Sequence, residues 1–202
     1  MANTDIRSLL GCNPSSTGLD DYITFLVAKS SLHPPISPEI RSYPDAVYFN
    51  FHQLGLSLQF APKDGYKLSS GLKQNELKSD KLSLESIYLY NADASFCAYP
   101  VSPLALKLNP NVMDKDGHLL SRPSILDVHK ETSGKDFVKA LLEPDRKGGG
   151  TGPSSGSIGI WCEWSKDGIM VEFGGVEAKG PQAWEQGKDA LWRVITIFES
   201  SV

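Results

Sequence analysis

Polar and apolar residues alternate along two stretches of the chain, residues 48–60 and 161–173, and the two stretches align without a gap. Gly55 in the first stretch aligns with Gly168 in the second. Alternation of this kind is typical of a β-strand with one buried face, and a glycine between two strands supplies the positive φ that a tight turn needs. Each stretch is therefore predicted to form a β-hairpin that turns at its glycine.

A short amphipathic helix is predicted ahead of each hairpin, at residues 21–26 and 136–141. Apolar residues recur there with the i, i+3, i+4 spacing that gives a helix one apolar face. Ser133 and Asp136 fit a capping box at the start of the second helix. A further helix is predicted over residues 181–190, where a proline suits the first turn.

A strand rich in β-branched and aromatic residues is predicted after each hairpin, at residues 84–90 and 191–197. The chain then contains two copies of a helix-hairpin-strand unit, at residues 19–91 and 134–199. A connecting segment, residues 92–133, joins the two predicted repeats.

The fold class predicted from these repeats is α+β, with a twisted antiparallel sheet built from both units and helices packed on one face. A chain of 202 residues with 40% hydrophobic content can bury one sizeable core, so a single domain over residues 1–202 is expected. Residues 95–108 are predicted to be an edge or crossing strand because two prolines interrupt them. Loops are predicted at residues 64–80, 109–123 and 145–156.

The charge balance argues against a nucleic-acid partner, because 20 basic and 24 acidic residues leave a formal net charge of −4. No apolar run approaches the length of a membrane span or of a secretory signal, so neither membrane insertion nor secretion is expected. Cys12, Cys97 and Cys162 are scattered and lack CxxC spacing, which indicates reduced thiols rather than disulfides or a zinc site. The sequence therefore predicts a cytoplasmic protein.

The two faces of each hairpin differ in polarity if the turn keeps the strands in simple register. In the second hairpin, the residues predicted to face the core are Ile158, Ile160, Cys162, Trp164, Ile169, Val171 and Phe173, and those predicted on the open face are Trp161, Glu163, Met170 and Glu172. In the first hairpin, the corresponding core residues are Val47, Phe49, Phe51, Leu56, Leu58 and Phe60, and the open-face residues are Tyr48, Asn50, Ser57 and Gln59. A three-residue turn with a bulge at 166–168 would mix the faces, but the clean hydrophobic segregation favours the first arrangement.

The open face supplies the candidate functional residues, because it combines aromatic rings with hydrogen-bonding groups. The candidate ligand-binding residues are Tyr48, Asn50, Gln59, Trp161 and Met170. The candidate catalytic residues are Glu163, Glu172 and His52. The two glutamates are predicted to be diagonal neighbours about 7 Å apart, close enough for one of them to hold a proton and act as an acid or base. The alternative is an ordinary solvated strand face.

Several common active-site motifs are missing from the sequence. The glycine-rich stretch 145–156 follows a helix, precedes a strand and carries Lys147 ahead of its glycines, so it is predicted to be a flexible connector or lid rather than a phosphate-binding P-loop. The histidines show no HxH or HExxH spacing, and no metal site or cofactor is assigned. No serine lies in a GxSxG elbow.

The stretch from Leu141 to Pro144, followed by Ile160–Trp164, the turn glycine Gly168 and Ile169–Phe173, resembles the repeat of the BamE and β-lactamase-inhibitor-protein type. The segment 48–60 is similar to part of the phagosome assembly factor family, and the whole chain resembles uncharacterised fungal proteins. The resemblance implies a twisted antiparallel sheet with helices on one face. In the inhibitor relatives it also implies an aromatic-rich open face that grips a partner, and it implies no catalytic residue.

The function predicted from these patterns is binding: the open face, with Trp161 and Tyr48 as anchors, holds a protein partner or a small apolar or aromatic molecule. The competing hypothesis is a small enzyme without a nucleotide cofactor. It would act on an aromatic or apolar substrate, by hydrolysis, isomerisation or oxidative alkene cleavage, in a pocket beside residues 148–156, with Glu163 or His52 as acid, base or metal ligand. A third hypothesis is a scaffold that forms a homo-oligomer through an exposed strand edge.

Overall fold

The computed structural model of the chain describes residues 5–113, 116–150 and 159–201. Most of its strands form an eight-stranded antiparallel sheet with the order β1-β2-β3-β4-β10-β9-β8-β7, and β5 and β6 form a separate two-stranded sheet. The strands are β1 (Glu39–Ser42), β2 (Val47–Phe51), β3 (Leu56–Pro62), β4 (Leu82–Tyr90), β5 (Leu104–Lys107), β6 (Ile125–Val128), β7 (Arg146–Gly148), β8 (Trp161–Trp164), β9 (Ile169–Phe173) and β10 (Trp192–Phe198). The α-helices are α1 (Thr17–Lys29), α2 (Gly134–Leu141) and α3 (Ala183–Gln186). Of these described helices, none has the length and apolarity needed to cross a bilayer.

The predicted fold class is wrong, because the chain is a large antiparallel sheet with little helix rather than an α+β sheet with helices packed on one face. Helical residues make up 22%, and α3 covers only four of the ten positions predicted as helix at 181–190. Gly187 is the C-cap residue of α3, and its N–H donates to the Ala183 carbonyl at 2.8 Å. The sheet also gains β1 and β7, which are too short and too polar to show alternation in the sequence.

The described residues cluster into two compact units. Unit 1 contains residues up to Val101 together with Thr196–Glu199, and unit 2 contains Ser102–Ile195 together with Ser200 and Ser201. The predicted first repeat, 19–91, lies within unit 1, and the predicted second repeat lies in unit 2 up to Ile195.

Both predicted hairpins are present. β2 pairs with β3 and β8 pairs with β9, each antiparallel. Each connection is a 3₁₀ turn of three residues followed by a left-handed glycine, with φ 56° at Gly55 and φ 62° at Gly168. The turn glycines are therefore confirmed. Each connection has four residues, whereas a two-residue turn was predicted and a three-residue turn with a bulge was the alternative.

The predicted faces of both hairpins are confirmed for the described residues. Phe51 pairs with Leu56 and Trp164 with Ile169, so apolar side chains from both strands of a hairpin point to the same side. All the predicted core residues of the two hairpins are buried except Ile158, which lies outside the described residues. On the open face, Asn50 and Ser57 are also buried, while the other predicted open-face residues are half-buried.

Helix α1 lies beside the buried face of the unit 1 sheet. The Ser16 hydroxyl caps its start by accepting from the Leu19 N–H at 3.3 Å. Leu19, Tyr22 and Leu26 on one side of α1 are buried, and Ile23 and Val27 line a groove together with Phe49 on the sheet. The apolar face of α1 therefore contributes to the core of unit 1.

Helix α2 packs on the buried face of the second hairpin in unit 2. The predicted capping box is confirmed, since the Asp136 carboxylate accepts from the Ser133 N–H at 2.9 Å. The Phe137 ring lies 6.5 Å from the Trp164 ring and 6.0 Å from the Phe173 ring, between centroids. These aromatic contacts anchor α2 to the sheet.

Two segments differ from their prediction. Residues 95–108 were predicted to be an edge or crossing strand, but only β5 within them is a strand, and it pairs with β6 apart from the main sheet. Within 145–156, β7 pairs with β8, so the predicted flexible connector begins as a strand. The remainder of that predicted loop, residues 151–156, lies outside the described residues.

Candidate functional site

The open face of unit 1 gathers side chains from four neighbouring strands, β1 to β4. Along one row, Arg41 pairs with Tyr48, and Tyr48 pairs with Gln59. Along the next row, Asn50 pairs with Ser57, and Ser57 pairs with Tyr88. Because strand pairing places opposite residues on the same face, these groups share one surface.

This surface contains a cleft of about 530 Å³, which we call the tyrosine cleft. It is lined by Arg41, Tyr43, Asp45, Tyr48, Asn50, His52, Ser57, Tyr88, Tyr90, Ser95 and Phe96. All of them belong to unit 1.

One wall of the cleft is a group of three tyrosines. The rings of Tyr43 and Tyr48 are 5.9 Å apart and nearly perpendicular, at 83°. The Tyr48 and Tyr88 rings are 6.3 Å apart and tilted by 47°. Tyr43 follows β1, so the sheet itself holds two of the rings and the β1–β2 turn supplies the third.

The opposite wall is a stack of three rings at the tip of the first hairpin. Tyr90 and Phe96 stack in parallel with 3.8 Å between their centroids, and His52 lies 4.4 Å from Phe96. The His52 ring is fixed at both nitrogens, because Nδ1 bonds the Ser95 carbonyl at 2.8 Å and Nε2 bonds the Glu39 carboxylate at 2.7 Å. Tyr48 and His52 flank Asn50 along the chain, so the two walls stand on either side of Asn50.

The floor between the walls is polar. The Ser57 hydroxyl donates to Asn50 Oδ1 at 2.6 Å, and only 2% of Ser57 and 9% of Asn50 are exposed. Tyr88 donates to Gln59 Oε1 at 2.6 Å, and Gln59 Nε2 donates to the Glu85 carboxylate at 3.1 Å. The hydrogen bonds fix the orientation of the floor and of Tyr88.

Carboxylates dominate the electrostatics of the cleft. Hydrogen bonds from Arg41 and then from His52 lower the pKa of Glu39. Burial raises the pKa of the Tyr48 and Tyr88 hydroxyls, and the negative charge of Glu85 raises both further. Tyr48 and Tyr88 therefore stay neutral at physiological pH, while the Glu39 carboxylate is ionised.

The sequence-predicted residues of the second hairpin lie in unit 2 and do not line this cleft. The Arg146 guanidinium lies 5.9 Å from the Trp161 ring centre and bonds Glu163 at 3.2 Å. Glu172 instead bonds Arg193 at 2.7 Å. The two glutamates thus each have their own arginine, and Met170 is the half-buried cross-strand partner of Glu163.

Of the predicted site residues, Tyr48, Asn50 and His52 meet in the tyrosine cleft, and Gln59 supports it through its bond to Tyr88. Sequence reasoning missed four of its aromatic residues: Tyr43, Tyr88, Tyr90 and Phe96. The alternation of Tyr88 and Tyr90 with buried Ile87 and Leu89 in β4 was a signal that could have found two of them. Tyr43 and Phe96 come from turns, where no pattern of this kind exists.

Within the described residues, no three histidine, cysteine, aspartate or glutamate side chains cluster as a metal site would require. Comparison of the chain with protein-family models, with curated proteins and with solved structures found no match.

Proposed function

We propose that this chain is a binding protein and that a partner protein docks on the tyrosine cleft of unit 1. The observation that carries the proposal is the placement of five rings, Tyr43, Tyr48, Tyr88, Tyr90 and Phe96, around one cleft outside the buried core. Tyrosine and phenylalanine are enriched at protein interfaces, where their rings bury large areas at low cost in side-chain entropy.

The shape of the cleft favours a protein over a small molecule. Small-molecule sites are usually concave pockets that enclose most of the ligand. The tyrosine cleft lies on a sheet face, and none of its lining residues belongs to an α-helix. The expected cytoplasmic location belongs to this proposal, and the three free cysteines are compatible with it.

The enzyme hypothesis has weaker support from the geometry. A general acid or base needs a group that is free to exchange a proton with a substrate. Glu163 and Glu172 each bond an arginine, and both ring nitrogens of His52 are bonded within the protein. The proposed role of His52 is therefore to hold the wall of the cleft.

A peptide-display selection tests the proposal. A random-peptide library would be panned against the native chain, against Tyr43→Ala/Tyr48→Ala and against Trp184→Ala, which removes an exposed aromatic ring from unit 2. The native chain and the Trp184 variant are expected to enrich the same peptides, and the double variant is expected to lose them while it remains folded by circular dichroism. Equal enrichment on all three proteins, or none on the native chain, would refute the proposal.

A further inference from the structure

We infer that the group which enters the tyrosine cleft is a cationic side chain, lysine or arginine, presented by the partner protein. The inference rests on the proposed function and adds the chemistry of the occupant. It follows from the charges around the cleft, from its rings and from the way cations are used elsewhere in the same chain.

The charges around the cleft are predominantly negative. Asp45 lines the cleft, Glu85 is bonded to Gln59 beside Tyr88, and Glu39 is bonded to His52 at the rim. The cation among the lining residues, Arg41, bonds Glu39 at 2.7 Å and lies beside the Tyr43 hydroxyl. With one acid neutralised by Arg41, Asp45 and Glu85 leave a negative field over the tyrosines, which attracts a positive group.

The rings provide the contact surface for such a group. The face of a tyrosine or phenylalanine ring carries partial negative charge and attracts a cation within about 6 Å of its centre. Tyr43 and Tyr48 are nearly perpendicular, so they present differently oriented surfaces to a group in the cleft. An ammonium or guanidinium group beside these rings would gain an electrostatic attraction that an apolar group of the same size lacks.

The chain places its own cations over rings elsewhere. Arg146 lies over Trp161, Lys147 over Trp184 and Lys78 over Tyr66, each within 5.9 Å of the ring centre. Within the part of the chain that the structure describes, no lysine or arginine stands in this way over Tyr48 or Tyr88. Both rings line the cleft and are only half-buried, so part of each remains accessible to a cation from another molecule.

The test uses short peptides, acetyl-Ala-Ala-Xaa-Ala-Ala-amide, in which Xaa is lysine, trimethyl-lysine, arginine, norleucine or glutamate. Each is titrated into the isotope-labelled chain and the dissociation constant is read from amide chemical shifts. The cationic peptides are expected to bind about 10-fold more tightly than the norleucine peptide, the gain of one desolvated cation–ring contact. The advantage is expected to shrink as salt is added.

Matched variants separate ring electrostatics from simple packing. Tyr48→Phe keeps the ring and is expected to retain binding, while Tyr48→Leu keeps an apolar group and is expected to lose most of the 10-fold preference. Asp45→Asn is expected to weaken the cationic peptides about 3-fold at low salt, through loss of one nearby charge. Asp21→Asn, an exposed acid of α1 away from the cleft, is the control and is expected to change nothing.

The failures of the two proposals are distinguishable. Two results would overturn the cationic occupant and leave the docking proposal standing. The first is that display peptides depend on the cleft but carry no lysine or arginine. The second is that the norleucine peptide binds as tightly as the lysine peptide. Tetramethylammonium binding as tightly as the trimethyl-lysine peptide would overturn the assignment to a protein side chain in favour of a small amine. Absence of both display peptides and cationic peptide binding would overturn both proposals.

Discussion

Tyr22 and Tyr99 form a hydrogen bond between their hydroxyl groups inside unit 1, where both side chains are buried. Burial raises the pKa of Tyr22 to about 12, because a tyrosinate would lose its hydration there. Since the folded pKa is higher than the unfolded value, this pair stabilises the fold fully below about pH 10, and the stabilisation is lost as the pH rises toward 12.

The free energy of unfolding is therefore expected to fall between pH 10 and pH 12, by up to about 3 kcal/mol for Tyr22 alone. Urea unfolding at several pH values in this range gives the slope of the unfolding free energy against pH. The variant Tyr22→Phe/Tyr99→Phe lacks both hydroxyls and should show a shallower fall, whereas an unchanged slope would mean that other groups control the alkaline transition.

A buried ion pair fixes the tip of the second hairpin in unit 2. The Arg122 guanidinium makes two bonds to the Asp167 carboxylate, of 2.6 and 2.8 Å, and a third to the Asn109 carbonyl at 2.7 Å. Asp167 aligns with buried Leu54 of the first hairpin, so the two tips use different chemistry at the same position. The pair ties the segment around Asn109 to the hairpin.

Asp167→Asn is expected to cost about 3–5 kcal/mol of unfolding free energy, because it leaves the Arg122 charge buried without its partner. The matched control is Asp189→Asn, whose exposed pair with Lys135 should contribute no more than about 1 kcal/mol. Chemical denaturation of both variants makes the comparison, and similar small losses in the two would show that the Arg122–Asp167 pair is not structurally important.

At the scale of the elements, the turn of the first hairpin depends on Gly55. Its φ is +56°, and a Cβ atom there would lie 2.3 Å from the carbonyl oxygen of Cys97. Gly65 also has a positive φ, of +72°, but has no atom within 4 Å of the corresponding position. The two glycines thus share a left-handed backbone conformation, but only Gly65 has room for a side chain.

Gly55→Ala should destabilise the protein by more than about 3 kcal/mol, since backbone strain and a clash with rigid backbone add together. Gly65→Ala has only the strain and should cost about 1 kcal/mol. Thermal or urea unfolding measures both, and equal costs would contradict the close packing of the turn against residue 97.

The elements that the sequence predicted well are those with local signals. Alternation located both hairpins, and a capping pair located the start of α2. β1 and β7 were missed because their few residues gain strand structure only from pairing with distant neighbours. The residues of the cleft show the same division. The alternation of β2 predicts that Tyr48 and Asn50 share the open face, whereas Phe96 reaches them only through a turn that folds back on Tyr90.

At the scale of the whole molecule, the ends of the main sheet bear on the hypothesis of an oligomer formed through a strand edge. The terminal strands of the sheet, β1 and β7, have four and three residues, and both carry charged side chains. The backbone and hydroxyl of Ser42 in β1 already bond the segment 69–72. Short and charged edges pair poorly with a second copy, and the contacts of Ser42 also cover part of the β1 edge.

We therefore expect the protein to be a monomer at micromolar concentration. Size-exclusion chromatography with light scattering should give a mass near 22.1 kDa. A stable dimer that dissociates on substitution of Arg41 by proline would restore the edge-strand hypothesis.

We propose that the partner docks on the open face of unit 1 and not on the open face of the second hairpin. The most direct measurement is an amide and indole chemical-shift map during titration with the trimethyl-lysine peptide. The largest changes are expected at Tyr48, Asn50, Ser57 and Tyr88, and the resonance of the Trp161 indole N–H is expected to stay unchanged. Saturable movement of the Trp161 indole, with the resonances of the tyrosine cleft unchanged, would contradict this proposal.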